Sequence, residues 1–288
     1  MNMLLSSLLK EYDLSTPQNW EHALREVFQH LALLGLWRAK FFEHAAFYGG
    51  TALRIFHGLD RFSEDLDFTL TVPDAAFTMK DFLKAVSLEL TAFGFKVTVE
   101  PRQKEPKTNI DSAFIKADTL QNLVRISAPQ GMLGEIHRDQ RIRIRLEIDI
   151  APPPGAIFEV KTVLLPMPFQ VKLVSLPDLF AGKSHALLCR QWKSRVKGRD
   201  FYDFVWFVAR GIPCHLEHLK ARMVQTGHWN TEAFLGKDDF CKLLIEKFGK
   251  VDFLQAKDDV RPFVRDQDSL KLWSREFFNE LVPKVRTS

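Results

Sequence analysis

Two carboxylates near the start of the chain have the type and spacing that metal-dependent phosphate chemistry requires. Asp65 and Asp67 are two residues apart inside an apolar run, so on a β-strand both side chains lie on one face. Neighbouring carboxylates repel each other, and a shared cation relieves that repulsion. The upstream pair Gly49 and Gly50 forms a turn whose backbone amides can approach a phosphate. Together these residues predict metal-assisted nucleotidyl transfer.

Hard divalent cations such as Mg²⁺ or Mn²⁺ prefer carboxylate oxygens and leave coordination positions for the substrate's phosphates. We therefore expect Asp65 and Asp67 to bind the metal. The expected nucleotide-binding residues beside them are Gly49, Gly50, Thr51 and Ser63. An Asp-x-Asp pair taken alone is common, and a chance pair at a strand edge is the alternative interpretation.

A third carboxylate is expected from another strand. Residues 141–150 (RIRIRLEIDI) alternate apolar and polar side chains, which is typical of a half-buried strand. Its polar face offers Glu147 and Asp149, of which we favour Glu147. A half-solvated strand with no metal role is the alternative.

A second group of candidate residues lies in the C-terminal half. Lys183 falls on a predicted helix, and its ammonium group suits a triphosphate. Asp200 lies near the start of the next helix, where it is expected either to hold Lys183 or to act as a base on the attacking hydroxyl. Helix capping is the structural alternative for Asp200. We expect Lys183 and the aspartates to share one magnesium–triphosphate pocket.

The segment 183–199 has six basic residues and no acidic one, although the net charge of the chain is only +4. Such a run is more often a solvated face than a binding site. Beside a metal site, however, it becomes a candidate track for RNA. The expected RNA-binding residues are Arg190, Lys193, Arg195 and Lys197.

Hydrophobic periodicity predicts a helix at 18–40 and a strand at 45–48 that leads into the Gly-Gly turn. The further predicted strands cover 64–71, 95–100, 112–117, 121–127 and 141–150. The further predicted helices cover 51–57, 73–94, 177–189, 199–210, 214–225, 231–248 and 268–281. Ser175 is the expected N-cap of the first helix in the C-terminal half. We predict an α/β core at 1–168 and a helical domain at 169–288 that carries Lys183 and Asp200.

The bulk properties are those of an ordinary globular protein. The chain has 288 residues, of which 46% are hydrophobic and 26% charged. Its three cysteines are scattered without metal-ligand spacing, which favours a reducing, cytoplasmic compartment. The N-terminus does not have the pattern of a signal peptide, and no apolar run is long enough to span a bilayer, so we expect no membrane association.

The segments GGTALRIFHGLDRFSEDLDF, RLEIDI, SLPDLFAGKSHALLCR and KGRDFYDF occur in this order. Together they resemble the AbiEii/MenT family of nucleotidyltransferase-like toxins. The resemblance implies an α+β fold, with a nucleotidyltransferase-like mixed sheet, flanking helices and a helical C-terminal domain. It also implies nucleotide transfer from an NTP to RNA, with the tRNA acceptor end as the acceptor of some members.

The same resemblance carries residue roles and a partner. It implies that Ser63 and Asp65 form the catalytic Ser-x-Asp pair, that Asp67 is the second acid, and that Lys183 and Asp200 are the catalytic lysine and aspartate. Arg145 stands where the family often has lysine. The family implies a separate antitoxin, often a winged-helix protein. Two alternatives stay open: a nucleotidyltransferase that modifies a small molecule or a protein, and a non-catalytic binding module of the same fold.

Overall fold

The computed structural model describes residues 8–95, 97–101, 110–119, 141–191 and 195–288. The helices are α1 (Pro17–Arg38), α2 (Gly49–His57), α3 (Lys80–Ala92), α4 (Leu176–Cys189), α5 (Gly198–Ala209), α6 (Leu216–Gln225), α7 (Lys237–Phe248), α8 (Phe253–Val260) and α9 (Arg275–Leu281). The strands are β1 (Ala45–Tyr48), β2 (Leu66–Leu70), β3 (Val97–Pro101), β4 (Ile110–Thr119), β5 (Arg141–Asp149), β6 (Phe158–Val163), β7 (Phe169–Val174), β8 (Pro213–Cys214) and β9 (Arg286–Thr287).

The described chain divides into two compact units. The first unit comprises Met1–Ala52, Glu64–Pro152 and Val160–Leu173. The second comprises Leu53–Ser63, Pro153–Glu159 and Val174–Ser288.

The first unit contains the body of a mixed sheet. Among the described strands the order is β3-β4-β5-β2-β1-β7-β6. The β2 strand pairs parallel to β5 and antiparallel to β1, and β1 pairs parallel to β7. The predicted α+β class is confirmed.

Aromatic side chains fill the interior of the first unit. The ring of Phe68 on β2 lies 4.9 Å from that of Phe41 and 5.2 Å from that of Phe47, measured between centroids. All three side chains are fully buried. The face of β2 opposite to its carboxylate is therefore fixed by packing, and the register of the strand is fixed with it.

The second unit is built mainly from α4 to α9. Phe180 on α4 stacks on Phe207 of α5 at 4.6 Å, and Phe201 contacts Phe278 of α9 at 5.5 Å. Ser175 caps α4 as predicted, because its side chain accepts the Asp178 N–H. No described helix has both the length and the apolar character needed to span a membrane.

Several predicted elements differ from those observed. The helix expected from residue 73 begins only at Lys80, because Asp74 accepts the Ala76 N–H and forms a turn. The helix expected from residue 231 begins at Lys237, where the Asp239 carboxylate accepts the Gly236 N–H. Strands β6 and β7 and helix α8 were not predicted. The predicted strand at 121–127 lies outside the described residues.

Candidate active site

Three carboxylates lie on one face of the sheet in the first unit. Asp65 immediately precedes β2 and Asp67 lies inside it, with buried Leu66 between them. Asp67 is the register partner of Glu147 on the parallel strand β5. Directly opposed residues on neighbouring strands share a face, and so do residues two apart on one strand. The sheet thus presents Asp65, Asp67 and Glu147 together.

The other candidate for the third acid, Asp149, has a different environment. Its register partner on β2 is Thr69, which is buried. One carboxylate oxygen of Asp149 accepts the Ala151 N–H at 3.0 Å, where the chain leaves β5. The register therefore favours Glu147 as the residue that accompanies Asp67.

The Gly-Gly turn contacts the acidic strand closely. Gly49 has a φ of 82°, in the left-handed region that glycine tolerates. A Cβ atom built on Gly49 would overlap Asp67 Oδ2 and would lie 3.0 Å from Asp67 Cγ. Fully buried Thr51 donates from Oγ1 to the Asp65 carbonyl oxygen at 2.5 Å. Gly49 thus leaves the room that the Asp67 carboxylate occupies, and Thr51 ties the turn to the strand. Gly50 is buried in the first turn of α2.

Arg145 on β5 is the cationic partner of two of the carboxylates. Its guanidinium group lies 3.1 Å from Asp65 Oδ2 and 3.0 Å from Glu147 Oε1. Burial lowers the pKa of Arg145, but the hydrogen bond and charge of Asp65 and the charges of Glu147 and Asp67 outweigh it and raise the pKa. Among the described residues, Asp65, Asp67 and Glu147 do not form a group whose ligand oxygens all lie within 4.8 Å of one another. The Arg145 guanidinium group and a bound metal ion would therefore compete for the carboxylate oxygens of Asp65 and Glu147.

The second unit contains a buried ion triad. Arg61 donates from Nε to Asp203 Oδ1 at 2.6 Å and from a terminal nitrogen to Oδ2 at 2.7 Å. The Lys183 ammonium lies 2.7 Å from Asp203 Oδ2. Asp203 is completely buried, and Arg61 is 1% exposed. Burial raises the pKa of Asp203, but Arg61 and Lys183 outweigh this and lower it.

The triad corrects one sequence-based expectation. The carboxylate that holds Lys183 is Asp203, whereas Asp200 bonds Arg190 at 2.6 Å. Asp203 was not among the predicted site residues, although it lies on the apolar face of α5 beside Phe204, where a carboxylate needs a partner. Its second partner, Arg61, is 142 residues away in the sequence and no local pattern pairs them.

Asp200 is buried and has a perturbed acidity. Burial raises its pKa, although Arg190 and Lys183 oppose that change. A carboxylate with a raised pKa is a stronger base, which suits proton abstraction from a hydroxyl. The predicted role of Asp200 as a base stays a prediction, as does the pocket expected to unite Lys183 with the aspartates.

The basic run is only partly open to a ligand. Arg190 bonds Asp200, and Arg195 forms an ion pair with Asp259. Lys197, the next described candidate in the basic run, is the N-cap residue of α5. Lys193 lies outside the described residues. Ser63, the remaining predicted nucleotide-binding residue, is half-buried in the segment before β2.

A sequence comparison identifies the family of the chain. The sequence model of the family described as "Nucleotidyl transferase AbiEii toxin, Type IV TA system" matches residues 31–279. The chain belongs to the AbiEii family. The AbiEii match contains the carboxylate face, the Gly-Gly turn and the buried triad. Membership identifies a nucleotidyltransferase of a toxin–antitoxin system, with a nucleotide as substrate and an antitoxin as counterpart.

Two solved structures resemble this AbiEii protein. JHP933 from Helicobacter pylori is 16% identical over 91% of this chain and 90% of its own, with a TM-score of 0.49. An antigenic nucleotidyltransferase-like protein from Paracoccidioides brasiliensis is 16% identical over 70% of this chain and 87% of its own, with a TM-score of 0.37. No curated protein sequence matches the chain.

The residues present fit the divalent metal and NTP that nucleotidyltransferases such as AbiEii use. Asp65, Asp67 and Glu147 supply carboxylate oxygens, the donors that hard cations prefer. Gly49 keeps the space beside Asp67 free of any side-chain carbon of its own. Asp65, Asp67, Glu147 and Arg145 together carry an excess of two negative formal charges. A divalent cation is the ligand that would neutralise it.

Proposed function

We propose that this AbiEii protein transfers a nucleotide from an NTP to RNA, with the tRNA acceptor end as the acceptor, and so blocks translation and growth. The observation that carries the proposal is the set of three carboxylates on one sheet face beside Gly49, with Glu147 in register with Asp67. Such a set is suited to a metal–nucleotide complex, whereas a binding module would have no need of it.

The proposed roles follow from the environment of each residue. Asp65, Asp67 and Glu147 would hold Mg²⁺, which when bound activates the attacking hydroxyl and stabilises the leaving pyrophosphate. The Gly49–Gly50 backbone, with Thr51 and Ser63, would contact the nucleotide. Lys183, held by buried Asp203, would bind a phosphate of the triphosphate, because its ammonium group has two further hydrogens to donate. Asp200 would accept the proton of the attacking hydroxyl.

Labelling of tRNA tests the proposal directly. Purified protein is incubated with total tRNA, Mg²⁺ and each NTP labelled at the α-phosphate. We expect label in tRNA with the parent protein and none with Asp67→Asn, since the amide keeps the shape of the side chain but removes its charge. Asp74→Asn, at an exposed position of the same unit, is the matched control and should label like the parent. A parent that labels no RNA, or an Asp67→Asn variant with full activity, contradicts the proposal.

A small-molecule or protein acceptor is the second candidate, because the basic run gives limited support to an RNA track. Two of the three described candidates for RNA binding, Arg190 and Arg195, are already ion-paired with acidic residues. Reversing the charge of Lys193, Arg195 and Lys197 separates the two candidates. With an RNA acceptor, the variant should lose tRNA labelling and show a smaller salt dependence. Unchanged activity at unchanged salt dependence favours the small acceptor.

The proposed setting is the cytoplasm, where tRNA is found and where cysteines stay reduced. The three cysteines Cys189, Cys214 and Cys241 all lie in the described residues and form no disulfide there. A separate antitoxin of the winged-helix type is the proposed partner. Co-expression of a winged-helix antitoxin gene found next to the gene for this chain should restore growth to cells in which the parent protein is toxic, and cells carrying Asp67→Asn should grow without it.

A further inference from the structure

Three side chains that can bind a metal lie together in the second unit. His185 and Cys189 are four residues apart on α4, so they project from the same face of that helix. His228 lies in the turn that follows α6. One ligand atom from each of the three residues lies within 4.8 Å of the other two. The group therefore combines two imidazoles and one thiol.

Thr226 orients both imidazoles. Its Oγ1 lies 2.9 Å from His185 Nε2 and 2.9 Å from His228 Nδ1. The same hydroxyl donates its single hydrogen to a backbone carbonyl, that of Arg222 at 3.0 Å. When the hydroxyl donates to a backbone carbonyl, it can accept from both rings, in the tautomers that carry the N–H on the nitrogen facing Thr226. In those tautomers the other nitrogen of each ring keeps a lone pair. Metal-binding histidines commonly donate their second ring N–H to an oxygen in this manner.

Metal binding uses the lone pairs of neutral imidazoles and the thiolate form of cysteine. Burial and the charge of Arg222 lower the pKa of His185 to about 4, so the ring is neutral at neutral pH. Burial raises the pKa of the Cys189 thiol to about 11, although Lys247 opposes it. A metal that binds Cys189 therefore displaces its proton.

We propose that His185, Cys189 and His228 bind a soft transition-metal ion, and that the set of two imidazoles and a thiolate suits Zn²⁺. Binding would break the S–H bond of Cys189, form a Zn–S bond and release the proton to water. Imidazole and thiolate do not suit Mg²⁺, so this ion is distinct from the one proposed for the carboxylates. The proposal is independent of the nucleotidyl transfer.

The distances between the three ligand atoms determine how far the side chains move when a metal binds. Zinc bonds of about 2.0–2.3 Å in a tetrahedral site put the ligand atoms roughly 3.5 Å apart. The three ligand atoms lie within 4.8 Å of one another, so side-chain movement alone can bring them to that spacing. His228 is on an exposed turn next to Gly227, which has a φ of 72°, so its ring is not held by a packed core and can adjust. Three protein ligands leave the fourth position to water.

The surrounding charges limit the affinity. The positive charges of Arg222 near His185 and of Lys247 near Cys189 oppose the binding of a cation. Of the three proposed ligands, the Cys189 thiolate alone carries a negative charge to offset that of Zn²⁺. We therefore expect weaker binding than in a structural site with four zinc ligands, and an ion that a chelator removes without unfolding the chain.

Titration of the metal-free full chain with Co²⁺ alone tests the site. We expect a near-ultraviolet thiolate-to-cobalt charge-transfer band that saturates at one ion per chain and disappears when Zn²⁺ is added. Cys189→Ser should abolish the band. Cys241→Ser is the matched control, because Cys241 is also half-buried but lies outside the group, and it should keep the band.

Two further variants make the test independent of any single substitution. Thr226→Val keeps all three ligands but removes the hydroxyl that orients the rings, and should weaken Co²⁺ binding about tenfold. His228→Gln changes an exposed position that core packing does not need, and it should abolish saturable Co²⁺ binding. It serves as the ligand variant in case Cys189→Ser does not fold. The proposal is overturned if the parent shows no band, if the band survives both ligand variants, or if Cys241→Ser removes it as Cys189→Ser does.

Discussion

Replacement of Asp203 by Asn tests whether one buried carboxylate holds Arg61 and Lys183 in place. Arg61 is 1% exposed and has both of its side-chain ion contacts on Asp203. Loss of the carboxylate leaves a buried guanidinium without a counter-charge, which costs about 3–5 kcal/mol. Since the Asn oxygen still accepts a hydrogen bond, we expect the lower end of this range, about 3 kcal/mol.

Asp200→Asn is the matched control on the same helix. Asp200 is 6% exposed, but its partner Arg190 has a side chain that is 38% exposed and can turn into water. Because burial raises the pKa of Asp200, a neutral amide at this position also removes a desolvation cost. We expect Asp200→Asn to cost about 1 kcal/mol or less. The two variants should thus differ by about 2 kcal/mol or more.

Urea unfolding monitored by far-ultraviolet circular dichroism measures the difference. With a denaturant dependence of about 2 kcal/mol per molar urea, a gap of about 2 kcal/mol separates the two midpoints by about 1 M. At urea concentrations where Asp203→Asn is folded, its KM for NTP should also rise, because Lys183 has lost the group that orients it. Equal midpoints for the two variants, or an Asp203→Asn midpoint at the parent value, would refute the reasoning.

Three further predictions concern single positions. Gly49→Ala should lower kcat in the labelling assay at least tenfold, because the new Cβ overlaps the Asp67 carboxylate and the left-handed backbone adds about 1–2 kcal/mol of strain; parent-like kcat counts against this. Arg145→Met should lower the Mg²⁺ concentration for half-maximal activity about fivefold by removing a competing cation, and an increase contradicts the competition. Burial and the charge of Arg222 lower the pKa of His218 in the folded chain from 6.5 to about 4. As the pH falls below 6.5, the unfolded chain therefore binds a proton on this ring before the folded chain does, which favours unfolding. Stability should therefore drop by about 2 kcal/mol between pH 7 and pH 5 through this ring, and the urea midpoint of His218→Gln should depend less on pH than the parent's.

The acidic half of the candidate site was predictable because local periodicity determines it. An i, i+2 pair on a strand shares a face wherever the strand lies, and the alternation of 141–150 identified the polar face that carries Glu147. Glu147 was favoured over Asp149 from the sequence, but the pairing of Glu147 with Asp67 depends on the register between β2 and β5, which local periodicity does not give. That register is set by the buried side chains on the apolar face of the two strands, such as Leu66 of β2, which pairs with Leu146 of β5.

The basic half was only partly predictable, because its contacts join distant parts of the chain. Lys183 could be proposed from its residue type and helix, but the partnership of Asp203 with Arg61 spans 142 residues. One signal was present in the sequence, namely an acid on the apolar face of a predicted helix. Such a residue is rarely left without a counter-ion, so Asp203 deserved more weight than Asp200 as the partner of Lys183.

Strands β6 and β7 were missed for a similar reason. FEVKTV at 158–163 and FQVKLV at 169–174 each alternate apolar and polar residues, yet neither segment was predicted as a strand. The parallel pairing of β7 with β1 supplies hydrogen bonds that local sequence cannot reveal. The strand β7 therefore belongs to the sheet, and the start of α4 is marked by its Ser175 cap.

The two groups of residues carry net formal charges of opposite sign. Asp65, Asp67 and Glu147 with Arg145 carry an excess of two negative charges, whereas Asp203 with Arg61 and Lys183 carries an excess of one positive charge. A partly buried group with a net charge favours a ligand of opposite sign. A divalent cation has the sign that the carboxylates favour, and a phosphate has the sign that the triad favours. Under the proposed function, Asp67→Asn removes one negative charge from the carboxylates and Lys183→Met removes the positive charge of the ammonium group. Each variant should therefore bind the metal–NTP complex more weakly, with a smaller effect on binding of the nucleoside, which has neither metal nor phosphates.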